Sequence, residues 1–509
     1  MNYLIGVDLG TQGAKTTLRD ENGLLVREAF EASRLIYPER EAVTQDPEEM
    51  LGSVIRTIRS VMEASAIAPE SVAAIGVSGQ MAGIMGIGAD GVAVTPYDSW
   101  LDTRCGKYRQ PFLDFGEEHV ISITGTPVTY AHGPKTLWWK NEYPDVYRDI
   151  YKFVQPSAYC VMRLCGLQGE DAFIDYTYIH FSGFADTRRR RWSEDLLKGL
   201  GVEPDKMPRI ISPYKIVGRL RRDMAEHCGL TEGVPFVAGC GDTAASSFGA
   251  GIIDKGLLFD VSGTASVFAC ATDIYNPDVK HKTILYATSV IEDLYTPMAY
   301  INGGGMCLKW FRDDVLGKTK TFRELDAMAE EAPPGSCDLI FIPHFSGRVC
   351  PNDNFVRGSY VNLNWTHQTA HMYRAIMEGI AYEYGIYADI IRELVPTVVF
   401  ERIIGVGGGS KSNIFNNIKA DVLGVPISAS GSADAASLAC CAIAGFGAGL
   451  YGSLTELIER AVRTSPSIKP DKTRHAFYQP RKRMYAQTIE ALHEVYDNML
   501  KLAPYREIF

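Results

Sequence analysis

The opening segment Tyr3-Leu4-Ile5-Gly6-Val7-Asp8-Leu9-Gly10-Thr11-Gln12-Gly13-Ala14-Lys15-Thr16-Thr17-Leu18-Arg19 decides the architecture. Tyr3–Leu9 reads as a buried strand, Gly10 to Gly13 as a turn, and Thr16–Arg19 as the returning strand. A third strand, Leu24–Phe30, follows across Asp20-Glu21-Asn22-Gly23, whose Asn-Gly pair is a strong hairpin signal. About half a chain later the pattern returns. Leu257–Val261 enters Ser262-Gly263-Thr264 and continues into Val267-Phe268-Ala269, again with an aspartate (Asp260) ahead of a threonine-glycine turn. The echo suggests an internal duplication.

Other elements follow from local signals. Asp46-Pro47 starts a helix, Asp as N-cap and Pro in the first turn, with apolar positions at Met50, Val54, Ile55, Ile58 and Met62. Val72–Val77 is a further buried strand that ends in Ser78-Gly79-Gln80-Met81. Arg402–Val406 enters Gly407-Gly408-Gly409-Ser410 and then a helix from Asn413 to Leu423, and Tyr485–Leu500 has helical spacing. A chain of 509 residues outgrows one hydrophobic core, so two domains are expected, 1–245 and 246–509.

With 51 Lys and Arg against 61 Asp and Glu, the net charge of −10 argues against nucleic acid or an acidic membrane surface as partner. The one basic run, Arg188 to Arg191, reads as a solvated turn. Eleven cysteines without a CxxC pair fit reduced thiols and a cytoplasmic protein, and no signal peptide is evident. The weakly polar run Ala435 to Tyr451 is short for a membrane span. Its small residues suit a helix packed closely on its neighbours.

The chemistry concentrates on Gly239-Cys240-Gly241-Asp242-Thr243, a carboxylate in a glycine-flanked turn. Phosphoryl transfer to a hydroxyl needs a proton acceptor for the alcohol and backbone N–H groups for the phosphates. Asp242 with the turns at 10–13 and 262–264 offers both, and points to a small-molecule kinase. Gly10 to Thr16 is not a Walker A loop, because Leu9 and Ala14 stand where glycine is required and a strand follows. Thr11 or Lys15 would add a donor to that turn, and Asp8 either caps it or sits near Mg²⁺ through water. Gly405-Val406-Gly407-Gly408-Gly409-Ser410 departs from a dinucleotide fingerprint at Ser410 and comes late in the chain. It suits close approach of adenine or a phosphate, with Asn413 available to the base. His367 and His371 lack a third ligand and read as surface or capping residues, and Arg374 with Glu378 as an i, i+4 brace.

Taken together, these pieces resemble the FGGY family of carbohydrate kinases, which shares its fold with actin, hexokinase and Hsp70. The resemblance runs through Asp8-Leu9-Gly10-Thr11, Gln45-Asp46-Pro47, Gln80-Met81 and Trp100-Leu101-Asp102-Thr103-Arg104. It continues in Thr124-Gly125-Thr126-Pro127 with Lys135 and Trp138, Gly241-Asp242, Ser262-Gly263-Thr264, Arg357-Gly358, Arg374-Ala375, Glu378-Gly379, Gly407-Gly408-Gly409 and Ala420-Asp421. It implies an α/β protein of two ribonuclease H-like (actin-like ATPase) domains, their mixed sheets flanking a central cleft. Sugar would bind on the N-terminal side and ATP toward the C-terminal side. By the same resemblance Asp242 is the general base and Asp8 lies near Mg²⁺. Thr11, Gln12, Gly13, Lys15, Gly263 and Thr264 hold phosphates, while Gly408, Gly409 and Asn413 meet adenosine. Gln80, Met81, Ala82, Trp100, Asp102 and Tyr130 surround the sugar with Asp242. Asp242 is expected to need no large pKa shift, since the proton leaves late in a loose transition state.

Departures bear on the substrate. Xylulose kinases usually carry Gln-Met-His-Gly where this chain has Gln80-Met81-Ala82-Gly83, and glycerol kinases place Arg and Glu at Met81 and Ala82. Asn362 stands where the family has glycine, and Ala158 where an aspartate is common; His132 and Thr136 are also unusual. A ketopentose such as xylulose is the expected acceptor. Another polyol or sugar acid (erythritol, or gluconate meeting Arg104) is the alternative, and a non-catalytic ATP-driven switch the reading from another class. Homodimers are common in the family, but no stretch of this sequence marks an interface.

Overall fold

The protein is described here by a computed structural model covering residues 1–353, 355–431 and 434–502. β1 (Tyr3–Gly10), β2 (Gly13–Asp20) and β3 (Leu25–Ala32) form an antiparallel meander. Asp20 sets its second turn: Oδ1 accepts from Asn22 N and Leu24 N, both at 2.9 Å. α1 (Pro47–Glu63) is capped by Asp46, which accepts from Glu48 N at 2.8 Å, and buries Met50, Leu51, Val54, Ile58 and Met62. It leads to β4 (Val72–Gly79), parallel to β1. β5 (Ile216–Arg219) and β6 (Pro235–Val237) complete the order β5-β6-β4-β1-β2-β3, with β7 (Cys240–Gly241) paired to β4.

The second half repeats this plan. β8 (Leu257–Ser262) and β9 (Ser266–Cys270) are a hairpin within a sheet completed by β10 (Leu285–Thr288), β11 (Tyr295–Ile301), β12 (Arg402–Val406) and β13 (Ile427–Ala429). Its order is β10-β11-β9-β8-β12-β13. β1 and β8 hold equivalent places: each is antiparallel to the strand after its turn and parallel to one that arrives through a helix. The pairing makes the sequence echo a structural one.

α2 (Asp242–Gly249) follows β7, and α3 (Gly304–Trp310) follows β11. α4 (Thr369–Leu394), α5 (Asn413–Leu423) and α7 (Lys472–Lys501) pack with Leu258, Phe268 and Ile403 into the core of the second lobe. α6 (Ala435–Gly447) crosses back to the first. A Cβ at Gly6 would lie 2.0 Å from Ser437 O, and one at Gly76 2.4 Å from Cys440 O, so α6 rests directly on β1 and β4. Leu4, Ala74, Phe248, Ala439 and Ile443 share one cluster there. The small residues of 435–451 thus serve a close helix–sheet contact. α2 and α6 join the lobes, and a division at 245/246 falls inside α2.

All eleven cysteines are free, and only Cys337 is exposed. Among the described residues no helix is long and apolar enough to cross a membrane.

Candidate active site

The carboxyl ends of three parallel strands bring the first carboxylates together. Asp8 on β1 lies opposite Ser78 on β4, and Ser78 opposite Cys240 on β7. At the usual spacing between strands, this sets Asp8 about 10 Å in backbone terms from the segment that opens α2. Asp242 is the first residue of α2. The glycines before it are needed for close approach: a Cβ at Gly239 (φ +77°) would lie 1.8 Å from Val77 O, and one at Gly241 2.5 Å from Met81 Sδ.

The Asp242 carboxylate is half-buried, and both its hydrogen bonds fall on one oxygen. Oδ1 accepts from Thr243 N at 2.6 Å and Thr243 Oγ1 at 3.2 Å, leaving Oδ2 without a protein donor among the described residues. Burial pushes the carboxyl up to about 7, the Asp8 charge adds to the rise, and the Thr243 bonds oppose it. The linear motif carries no sign of this rise, which comes from burial and from a second carboxylate that the fold brings up. Asp8 is raised too, by burial, against its hydrogen bond from Ser78 Oγ (2.8 Å) and the charge of Lys15. Lys15 sits opposite Asp8 in the hairpin and pairs with Glu28 at 2.9 Å.

Sequence reading missed what holds the Asp242 turn from behind. Asp175, 3% exposed, accepts from Thr177 N at 2.9 Å and Thr177 Oγ1 at 2.5 Å. Thr177 Oγ1 in turn accepts from Gly241 N at 2.8 Å. Tyr178 Oη bonds Gly79 O at 2.8 Å and Cys240 O at 3.2 Å, tying β4 to β7. The signal available was the Asp-x-Thr spacing, an Asx turn that frees a threonine oxygen to accept.

Around the expected sugar pocket the structure separates lining from backing. Trp100 is 42% exposed and its Nε1 donates to Thr11 Oγ1 at 2.9 Å. Thr11 Oγ1 donates to Gln80 Oε1 at 3.2 Å, and Gln80 Nε2 to Gln45 Oε1 at 2.6 Å. Gln80 is fully buried, so it braces the β1–β2 turn against Trp100. Thr11 belongs to this chain of bonds as much as to the turn. Met81 is buried against Gly241, while Ala82 takes φ +62° beside it and is half-buried. Asp102 is 2% exposed, and its oxygens accept from Val43 N (2.9 Å), Arg104 N (3.1 Å) and Arg104 Nε (2.9 Å). Arg104 also pairs with Asp98 at 2.9 Å and stacks 4.4 Å over the Trp138 ring. Half-buried Tyr130 lies under the Arg109 guanidinium, 5.2 Å from ring centre to carbon. Of the residues expected around the sugar, Trp100, Ala82 and Tyr130 are accessible, and Gln80, Met81 and Asp102 are buried.

In the second lobe three glycine-rich turns converge at one end of the sheet. The β8–β9 turn carries exposed Thr264 and half-buried Gly263. A Cβ on Gly305, at the start of α3, would lie 1.8 Å from Gly263 O, and one on Gly409 2.6 Å from Ser262 Cβ. Gly408 faces open space with nothing within 4 Å of its Cβ position, and Asn413 is exposed in the first turn of α5. The Gly303-Gly304-Gly305 turn is a strand–glycine–helix junction whose signal in the sequence is the glycine run itself. Gln12 is exposed, its carbonyl accepting from Ser33 N at 2.9 Å; a Cβ on Gly13 would lie 2.1 Å from Glu31 O. His367 and His371 each accept on Nδ1 from a backbone N–H nearby, at 3.0 and 3.1 Å. Asn362 occupies φ +69°, a conformation that suits the glycine it replaces. Among the described residues no three His, Cys, Asp or Glu side chains gather as a metal site.

Models of the FGGY family of carbohydrate kinases match the chain twice, the N-terminal domain over residues 3–249 and the C-terminal domain over 260–448. The chain is 27% identical over 476 residues to the xylulose kinase of Bacillus subtilis (strain 168), covering 92% of this chain and 93% of that one. It is 26% identical over 482 residues to the gluconokinase of the same organism, covering 91% and 92%. The ligand-bound xylulose kinase of Lactobacillus acidophilus matches with a TM-score of 0.89 at 25% identity, over 98% of this chain and 100% of that one. Paired α/β lobes on the actin-like ATPase plan, with these matches, define a phosphotransferase that moves a phosphoryl group from ATP to a carbohydrate hydroxyl. The chain belongs to the FGGY family of carbohydrate kinases.

Proposed function

We propose that this kinase phosphorylates a ketopentose such as xylulose, with Asp242 as the general base and MgATP as donor. The observation that carries the reading is the Asp242 carboxylate: one oxygen tied to Thr243, the other open, on a turn fixed by Thr177. The sugar hydroxyl gives its proton to Oδ2 as its oxygen forms a bond to the γ-phosphorus, and the bond to the ADP oxygen breaks in line. A base titrating near 7 is ionised in a large fraction of molecules at neutral pH and still a competent acceptor.

Gly263 and Thr264 on one lobe, and Thr11, Gln12, Gly13 and Lys15 on the other, supply donors to the phosphates; Gly408, Gly409 and Asn413 receive the adenosine. Burial raises the proton affinity of both Asp8 and Asp242, the Asp8 charge adds to the rise at Asp242, and a divalent cation beside Asp8 suits that pair. Mg²⁺ held there through water would neutralise phosphate charge. In this scheme 1–245 carries the sugar and 246–509 the nucleotide, with α6 crossing back; residues 354, 432–433 and 503–509 lie outside the described residues. We place the enzyme in the cytoplasm.

Arg104 favours a neutral sugar over an aldonate. Its charge is already shared by Asp98 and Asp102, and its side chain is 13% exposed. Similarity to a gluconokinase makes an aldonate the second reading. A coupled ADP-release assay over ketoses, polyols and aldonates tests both. The reading expects turnover on a ketopentose that collapses in Asp242→Ala; aldonate turnover alone would replace the substrate, and wild-type-like turnover in Asp242→Ala would remove the base.

A further inference from the structure

The second lobe contains an ion pair that no water reaches. Lys419 on α5 and Asp260 on β8 are both 0% exposed and bonded to each other. Two more groups close the cluster: Tyr384 Oη on α4 donates to Asp260 Oδ1 at 2.9 Å, and the Lys419 ammonium lies 4.3 Å from the centre of the Phe415 ring. Ser262 is caught between the charges. Its Oγ donates to Asp260 at 2.8 Å and accepts from Lys419 Nζ at 3.1 Å.

Stability alone does not account for this arrangement. A fully buried pair costs much desolvation, and well-packed apolar side chains of similar volume serve a core as well or better. What the pair does fix is a place. Ser262 is the last residue of β8 and immediately precedes Gly263-Thr264. A Cβ on Gly407 would lie 2.9 Å from Ser262 O, and one on Gly409 2.6 Å from Ser262 Cβ, so the Gly407–Gly409 turn is built directly onto this serine. The third turn is seated on the same hairpin through Gly305 and Gly263. Ser262, its side chain held by two opposite charges, therefore leads directly into one turn, abuts a second, and is followed by the glycine on which the third is seated.

We infer that Lys419 and Asp260 are positioning residues for the nucleotide phosphates, acting through Ser262 on the turn at Gly263-Thr264. The inference rests on the proposed location of those phosphates. A group confined to strengthening the fold would affect every ligand alike, whereas Ser262 is continuous in the chain with Gly263-Thr264 and only abuts the adenosine turn at Gly407 and Gly409, so the phosphates lose more than the nucleoside.

Calorimetric titration with ADP and with adenosine separates the two. The double variant Asp260→Asn/Lys419→Met leaves no uncompensated buried charge and keeps an acceptor for Ser262 and Tyr384. Ser262→Ala keeps the ion pair and removes the link, which covers the case in which the double variant does not fold. Gly263→Val obstructs the turn itself. Expected is a loss of ADP affinity of about tenfold or more in the double variant and severalfold in Ser262→Ala, with a clearly smaller loss for adenosine in each. Equal losses for ADP and adenosine, or no loss of ADP in variants that fold, overturn the inference while Gly263→Val still weakens ADP. If Gly263→Val leaves ADP untouched, the phosphates lie elsewhere, and the location and the inference fall together.

Discussion

Replacing Asp242 with asparagine should abolish turnover and stabilise the protein, and the second effect follows from the same geometry as the first. The Asp242 carboxyl rises from 3.8 to about 7 on folding, because burial and the Asp8 charge disfavour its ionised form. Between those values the folded state holds a proton that the unfolded state has released, so wild-type stability falls as pH rises through this window and is level above it. A rise of this size corresponds to roughly 4 kcal/mol for a sealed site. The half-buried carboxylate meets some solvent, which leaves about 2 kcal/mol. The amide of the Asp242→Asn variant would keep the Oδ1 acceptor for Thr243 and carry no charge. Its advantage should be about half developed at pH 5.5 and complete at pH 8.5, where the melting midpoint should lie about 4 °C above wild type for a cooperative unit the size of one lobe. Thermal unfolding at the two pH values, beside ADP release at saturating sugar, reads both effects. A variant melting at or below wild type at pH 8.5 would refute the argument that Asp242 is held ionised at a cost.

Further outcomes follow from the groups around that carboxylate. Thr177→Val leaves Gly241 N without its acceptor and Asp175 without its hydroxyl donor; kcat should fall about 10- to 100-fold with KM nearly unchanged, at a stability cost of about 2 kcal/mol. Steady-state kinetics beside denaturant unfolding checks both. Thr11→Val breaks the link from Trp100 to Gln80, so KM should rise severalfold for sugar and for ATP together; a rise for one alone would place Thr11 in a single subsite. Arg104→Leu strands Asp98, already pushed up to about 6, beside Asp102, and should cost about 3–5 kcal/mol while leaving the aldonate-to-ketose turnover ratio unchanged. In wild type, kcat/KM should decline as pH falls through about 7, the apparent pKa of the free base.

The sequence announced elements whose causes are local. Asp46-Pro47 fixed the start of α1, the Asn-Gly turn fixed the hairpin between β2 and β3, and β12 and α5 have the bounds their apolar spacing implied. The repeated aspartate–turn unit was legible because the chain builds the same pairing twice. Interactions across the fold were not legible. The hydrogen bonds of Asp102 to Arg104 and Val43 N, and of Gln80 to Thr11 and Gln45, could not be read from the sequence, because partners far along the chain decide where a polar group points. The raised affinity of Asp242 for its proton comes first from burial and then from the Asp8 charge, which reaches it only through the β1–β4–β7 register. Lys419 meets Asp260 only because α5 is laid against β8. α6 belongs in sequence to one lobe and in space to the other, which no boundary drawn along the chain expresses.

The most direct measurement is a crystal structure with a non-hydrolysable ATP analogue and the sugar that the turnover screen selects. The acceptor hydroxyl should lie roughly 2.6–3.2 Å from Asp242 Oδ2, with the terminal phosphate facing it from the turn at Gly263-Thr264. A hydroxyl bound to another group, with Asp242 out of reach even through one water, would contradict Asp242 as the base.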